Sequence, residues 1–362
     1  MIIKFPLTCL KLSLNFVKKK KILFLNCRDV KNYCNYNKKN FIFINLHEIN
    51  FYIFIISFIK FIYLKKNFKE LYLNCLIKQI SPEIIVQNDL NLTKYDFKDN
   101  FPNINYVIYQ FGFIRDEKKY LHLKKKINCD IFLSFSKQET IIQKNYFKAK
   151  FVTFGFIRSN LVKKIYKKKN IISFVSEYSR EKSKKEKQYE GKLLTLLAKI
   201  CKVRNLDLFI ILRSNRKDKN LDSTEEIKYF SNILGKKFKY GDNNPYNVGD
   251  SAVINVSQNS NLGLEFISRE NKTIIFSTKD FIRKKRGLPL YINHKTPFFS
   301  YHTKNLKHIE EKILYTLKMS NNKFIKILKK NRKINKHKFN KNFPQFLLTL
   351  KKKHENNCNY SN

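Results

Sequence analysis

The chain has 362 residues, and its 74 Lys and Arg outnumber its 28 Asp and Glu, for a formal net charge of +46 at pH 7. A hydrophobic content of 43%, with 15% aromatic residues, excludes global disorder, because disordered chains lack the apolar surface that offsets ordering entropy. The length suits one large or two mid-sized domains, and the charge gives the sign of a polyanionic partner without its identity.

Lys, Asn, Ile, Phe and Tyr are abundant, whereas Gly (8), Pro (7) and Met (2) are scarce and Trp is absent, as in a chain encoded by AT-rich DNA. The basic surplus is therefore weak grounds for nucleic-acid binding. No helix-turn-helix, zinc-finger, RRM or KH signature accompanies it, so no specific nucleic acid is expected. The cysteines (Cys9, Cys27, Cys34, Cys75, Cys129, Cys201, Cys358) are odd in number and without CxxC spacing, which suits a reducing cytoplasm rather than a disulfide framework or zinc ribbon. The histidines form no HExxH-like pair, and neither metal nor cofactor is expected.

In chain order, residues 1–20 form an apolar leader with a basic end, the reverse of a signal peptide. A first block, 21–160, alternates short apolar runs with longer amphipathic ones, the pattern of parallel strands joined by helices. Strands are expected at Ile22–Leu25, Phe41–Ile44, Glu83–Val86, Tyr106–Tyr109, Ile131–Ser134 and Phe151–Phe154, with helices at Phe51–Leu64 and Phe68–Gln79. Phe51–Leu64 is the most apolar window, but it contains Lys60 and falls short of the roughly 20 residues a spanning helix needs, so it reads as a buried helix.

A lysine-rich break at 161–170 reads as a linker. The second block, 171–316, has expected strands at Ile171–Val175, Leu208–Leu212, Ala252–Val256 and Thr273–Phe276. Its expected helices are at Glu190–Arg204, Ser223–Leu234 and Ser260–Arg269. Residues 317–362 read as a basic, partly helical tail, with twelve Lys/Arg and no acid between Asn321 and Lys353. The fold class is α/β.

In open parallel sheets ligands bind beyond the carboxyl ends of the strands, so the loops there hold the candidates. In Asn259-Ser260-Asn261-Leu262-Gly263-Leu264-Glu265, small polar residues follow a buried strand and can cap a helix whose amino end suits a phosphate. Gly263 would allow close approach, and Glu265 could accept hydrogen bonds from ribose hydroxyls. Equally, Asn259 and Ser260 could only cap the helix and Gly263 only pack it. Arg213 and Arg216 follow the strand Leu208–Leu212 and could clamp phosphate oxygens. Ser176, Glu177, Tyr178 and Arg180 follow Ile171–Val175, as a donor site or as an ordinary loop. In the first block Asn88, Asp89, Gln110, Gly112 and Arg115 stand where an acceptor site would be. Asp89 and Asp116 are the candidate general bases, although Asn-Asp pairs also serve turns.

The order of "LIKQISPEIIVQNDLN", "FPNINYVIYQFGFIRD", "FVTFGFIRSN", "IISFVSEYSR", "LFIILRSN" and "DSAVINVSQNSNLGLEFISRENKTIIF" resembles a family of bacterial surface carbohydrate biosynthesis proteins. That family is GT-B-like, with two Rossmann-type domains around a cleft, and is distantly similar to CDP-glycerol glycerophosphotransferases. Its "DSTLGYE"-like segment is matched at Ser260, Leu262, Gly263 and Glu265 and departs at Asn259, Asn261 and Leu264. Its "QNG" or "QHG" turn appears as Gln110-Phe111-Gly112, with Phe111 replacing a polar side chain.

The resemblance implies a transferase using a nucleotide-sugar or CDP-polyol donor, held mostly by the second domain, with a glycan or lipid-linked acceptor on the first. It further implies cytoplasmic work near the inner face of the membrane, where the basic surface meets anionic lipid. A degenerate GT-B protein that binds nucleotide or glycan without turnover is the first alternative, and a basic nucleic-acid-binding protein the second.

Overall fold

A computed structural model describes residues 11–13, 18–31, 40–45, 48–65, 67–89, 97–112, 126–179, 184–213, 223–235, 237–241, 244–258, 260–276, 305–331, 336, 338, 340 and 343–349. The first domain contributes strands β1 (Lys11–Ser13), β2 (Ile22–Leu25), β3 (Phe41–Ile44), β4 (Glu48–Asn50), β5 (Ile84–Asn88), β6 (Asn105–Tyr109), β7 (Ile127–Ser134) and β8 (Phe147–Thr153). Six of them form an all-parallel sheet in the order β3-β2-β5-β6-β7-β8, while β1 pairs with β4 in a small separate sheet. Every residue of β2, β5 and β6 is buried, as expected of parallel strands covered on both faces.

Strands β9 (Ile171–Val175), β10 (Asp207–Ile211), β11 (Lys239–Tyr240), β12 (Ile254–Ser257) and β13 (Thr273–Ile275) form a second parallel sheet, ordered β11-β10-β9-β12-β13. The chain is thus α/β with two Rossmann-like halves. Strand order reverses between β2 and β5 in one sheet and between β9 and β12 in the other, and a crevice opens at such a point beyond the strand ends.

On one face of the first sheet, Leu73, Leu76, Ile77 and Ile80 of the helix Phe68–Ile80 pack on Leu23, Ile85, Ile108 and Phe132. In the second domain Leu193, Leu194 and Leu197 of the helix Lys184–Val203, Phe230, and Ile309 and Ile313 of the helix Leu306–Lys318 enclose Ile172, Phe174, Ile254 and Val256.

The C-terminal stretch is more than a tail. Phe324 and Leu328 of the helix Asn321–Asn331 share a cluster with Phe135 and Phe156 of the first domain and Leu264, Ile267 and Ile275 of the second. Phe343 and Leu347, one turn apart in the helix 343–349, then cover Phe24, Val86 and Val107 on the other face of the first sheet. Phe324 and Leu328 are four apart, as are Phe343 and Leu347, so each helix turns one apolar stripe toward the core.

Two further expectations change. The strand expected at Ala252–Val256 runs from Ile254 to Ser257, because Ala252 ends a helix, Pro245–Ser251, that is capped by Asn244 with proline in its first turn. The helix Phe51–Leu64 forms where expected but is not buried. Only Ile53 and Ser57 are, because the helix lies outside the sheet layers and leans on the helix Phe68–Ile80 through one stripe.

Candidate functional site between the two domains

At the end of β12, Ser260 adopts an extended conformation, and its Oγ accepts the Leu262 N–H at 3.3 Å, starting the helix Asn261–Ser268. A Cβ on Gly263 would stand 2.8 Å from the Ser257 Cβ and 3.3 Å from the Ile275 Cδ1, so glycine here lets the helix lie directly on the sheet. The amino end of this helix faces the first domain. A Cβ on Gly112, in the turn after β6, would stand 3.1 Å from the Asn261 Nδ2. Two segments expected on opposite sides of a cleft are therefore in contact.

Glu265 departs from its expected place. Instead of opening on the cleft it is wholly buried, its Oε1 2.5 Å from Arg158 Nη2 and its Oε2 accepting the Tyr246 hydroxyl. Packing of the helix against Pro245–Ser251 turns the side chain inward, and any ribose hydroxyl would have to displace one of these donors. Arg158 comes from the short helix Ile157–Asn160 at the end of the first domain, and its side chain is 14% exposed. Its guanidinium carbon lies 5.0 Å from the centre of the Phe111 ring, within cation–π range. Phe111, Arg158, Glu265 and Tyr246 thus form one chain across the domain boundary.

On the donor side Ser176 and Arg213 are brought together by a residue the sequence did not single out, Glu226 of the helix Ser223–Leu234. Its buried carboxylate accepts the Ser176 hydroxyl and, at 2.8 Å, the Arg213 backbone N–H. The Ser176 Oγ in turn accepts the Tyr178 N–H at 3.1 Å, and Arg213 Nη1 donates to the Tyr178 carbonyl at 2.7 Å. The loops after β9 and β10 are held as a unit. Arg180, Arg216 and Asn259 lie outside the described residues.

On the acceptor side Asn88 ends β5 rather than following it, and its Nδ2 donates to the Asn26 carbonyl at 3.2 Å across the strand-order reversal. Asp89 is buried, with Oδ1 accepting the Phe111 N–H at 2.8 Å. Gln110 donates to the Gly112 carbonyl at 3.1 Å and to the Glu139 carboxylate, and its Oε1 accepts the Phe135 N–H at 3.0 Å. These side chains shape the turn 110–112 and fix its approach to Asn261. Arg115 and Asp116 lie outside the described residues.

A second cross-domain group also escaped the sequence reading. Arg269, just past the helix Asn261–Ser268, is wholly buried and paired with Asp250 through Nε at 2.8 Å and Nη2 at 2.5 Å. Its remaining donors reach the carbonyls of Ser159 at 2.9 Å, Val162 at 3.0 Å and Lys163 at 3.2 Å, clasping the linker to the second domain. Burial alone would raise the pKa of Asp250. The bonds and charge of Arg269, with Asn271 and the Ile165 N–H, instead hold it below the usual carboxylate range. One aspartate and one buried arginine 19 positions apart, among so many surface cations, leave no local signal.

The sequence profile of a protein family described as "putative O-antigen biosynthesis protein" matches residues 109–354. No curated protein matches the chain. Among solved structures, UDP-GlcNAc 2-epimerase from Neisseria meningitidis bound to UDP-GlcNAc is 8% identical, with TM-score 0.55, covering 91% of this chain and 99% of that one. The S. aureus MnaA–UDP co-structure is 10% identical, with TM-score 0.53 and coverages of 93% and 97%. The wall teichoic acid polymerase TagF is 13% identical, with TM-score 0.51 and coverages of 96% and 92%. At these identities the likeness is one of fold, the GT-B type.

Proposed function

The chain belongs to this O-antigen biosynthesis protein family, and from that premise we propose that it is a transferase in cell-surface polysaccharide synthesis. It moves a sugar or polyol phosphate from a nucleotide-activated donor to a glycan or lipid-linked acceptor. The solved structures named above that hold UDP or UDP-GlcNAc support a nucleotide-bearing donor. The observation that carries this reading is the meeting of the 110–112 turn with Asn261 at the amino end of the helix Asn261–Ser268. A phosphate there would receive the positive end of the helix dipole within reach of the acceptor domain.

In this reading Ser260 and the helix start hold the donor phosphate, with Ser176 and Arg213 on the flanking loops. The ribose takes over Glu265. Arg158, displaced from that carboxylate, is then available to the departing phosphate, with no covalent step on the enzyme. Asp89 positions the acceptor turn through the Phe111 N–H and is the first candidate to take the proton of the attacking hydroxyl, with Asp116 the second. Among the described residues no helix is long and apolar enough to cross a membrane. We place the work in the cytoplasm, at the inner face of the membrane.

The test is a melting series with UDP, CDP and GDP, followed by donor consumption with an added glycan or lipid acceptor. One diphosphate should raise the melting temperature, and Glu265→Gln should remove most of that rise. No rise with any nucleotide overturns the reading. Phe111, covered by Arg158 where the family carries a polar residue, favours a second reading in which the cleft binds donor without turnover. Nucleotide binding with no loss of donor would select it.

A further inference from the structure

We propose that the helix Phe51–Leu64 is the element that seats the protein on an anionic lipid surface. This deepens the inner-face reading above, but it stands on the helix alone. The helix leans on its neighbour through Ile53 and Ser57, with Phe54 and Phe61 flanking Phe68 at 5.3 and 6.0 Å between ring centres. Ser57 spends its hydroxyl on the Ile53 carbonyl at 2.6 Å, so the attached stripe needs no water. The rest of the circumference faces outward. Ile55, Ile56, Phe58, Ile59, Ile62 and Tyr63 are 40% to 81% exposed, the densest run of exposed large apolar side chains among the described residues. Soluble surfaces seldom carry such a patch without a partner.

Length and charge select the partner. Fourteen residues give about 21 Å, short of the roughly 30 Å hydrocarbon core, so the helix can lie in the interface but cannot span it. It contains no acidic residue. Exposed Lys60 lies within it, exposed Lys65 ends it in a left-handed turn, and exposed Lys69 stands in the first turn of the next helix beside Glu70. Long lysine stems beside an apolar face suit head groups above an acyl boundary. A second copy docked on this face would bring the same lysines together on a chain of net charge +46, whereas an anionic bilayer complements them.

The experiment uses the full chain, which has no tryptophan, with Ile59→Trp as the only indole. Vesicles of phosphatidylcholine with 30% phosphatidylglycerol are added, some carrying brominated acyl chains. The proposal expects a blue shift, quenching by the brominated lipid, and co-sedimentation about 10-fold stronger than with phosphatidylcholine alone. The control, Tyr166→Trp in the exposed linker, should stay unquenched.

In the natural chain, Phe58→Ser with Ile62→Ser spares the attached stripe and should cut vesicle binding at least ~10-fold without changing the circular dichroism spectrum or the nucleotide melting shift. Vesicle binding untouched by that pair overturns the proposal. So does a dimer in light scattering that the pair dissolves while vesicles are ignored. Neither outcome bears on nucleotide binding, so the transfer reading stands or falls separately.

Discussion

Two ion pairs stand at the junction of the domains, one within the second domain and one across the boundary, and they differ in kind. Arg269 and Asp250 are both wholly buried, share two hydrogen bonds, and take the linker carbonyls of Ser159, Val162 and Lys163 as further partners. Arg158 and Glu265, a few residues away along the same segment, make one contact at 2.5 Å, and the arginine keeps 14% exposure at the cleft. The first pair is a sealed fastening whose desolvation has been met by a full set of partners. The second stands at a boundary where a ligand could exchange with one member. Both pairs cost stability when broken by halves, but Arg158 borders solvent, so water or a ligand can take its place on a Glu265 that Tyr246 still serves, and the cost there is smaller.

The largest expected effect lies in the sealed pair. Asp250→Ala leaves Arg269 buried without its carboxylate and should lower unfolding stability by about 3–5 kcal/mol in urea titration. Because the folded Asp250 sits below its ordinary value of 3.8, its contribution is complete above that pH and fades as pH falls through the lower folded value. The acid limb of stability should therefore flatten in Asp250→Asn. An unchanged limb would show that the pair does not fasten the domains.

Gly249 tests the packing that turns Glu265 inward. A Cβ there would stand 2.2 Å from the Phe266 Cε1, so Gly249→Ala should cost about 1–3 kcal/mol and loosen the seat of the helix Asn261–Ser268. Wild-type melting in this variant would mean that the two helices part easily, and the contrast between the pairs would weaken.

The rim pair should show the smallest stability effect and a visible ligand effect. Arg158→Ala should cost about 1–2 kcal/mol, because Tyr246 still serves the buried carboxylate. It should also slow donor turnover more than it weakens donor binding, if the guanidinium passes to the departing phosphate. Equal loss in binding and turnover would make Arg158 a ground-state contact, and no change in either would make it a simple brace.

Local pattern carried the reading wherever the physics is local. The strands Ile22–Leu25 and Phe41–Ile44 and the helix Ser223–Leu234 stand where their periodicity put them. Ser260 caps its helix as its residue type implied. Where pairing extends a strand beyond its apolar residues, as in Ile127–Ser134, composition fell short. The helix Pro245–Ser251 was missed because seven residues, with Gly249 among them, are too few to show a helical period, and six of them are buried through tertiary packing.

The site divides along the same line. Segment order and residue type were enough to nominate Gly112, Ser176, Arg213 and Asn261, because loops after parallel strands must collect at one edge. Which side chains are spent on holding that edge was decided only by the assembled domains. Glu226 joins two loops, Asp89 holds a backbone N–H, and Glu265 turns toward Arg158, 107 positions earlier in the chain. Pattern alone reached two α/β halves and the loops that face each other, with most of their strands but not Lys11–Ser13, Glu48–Asn50 or Lys239–Tyr240, which are too short to show a period. Tertiary structure decided the partners of each buried charge, since desolvation forces a charge to find a counterpart wherever packing brings one, and no local spacing encodes that meeting.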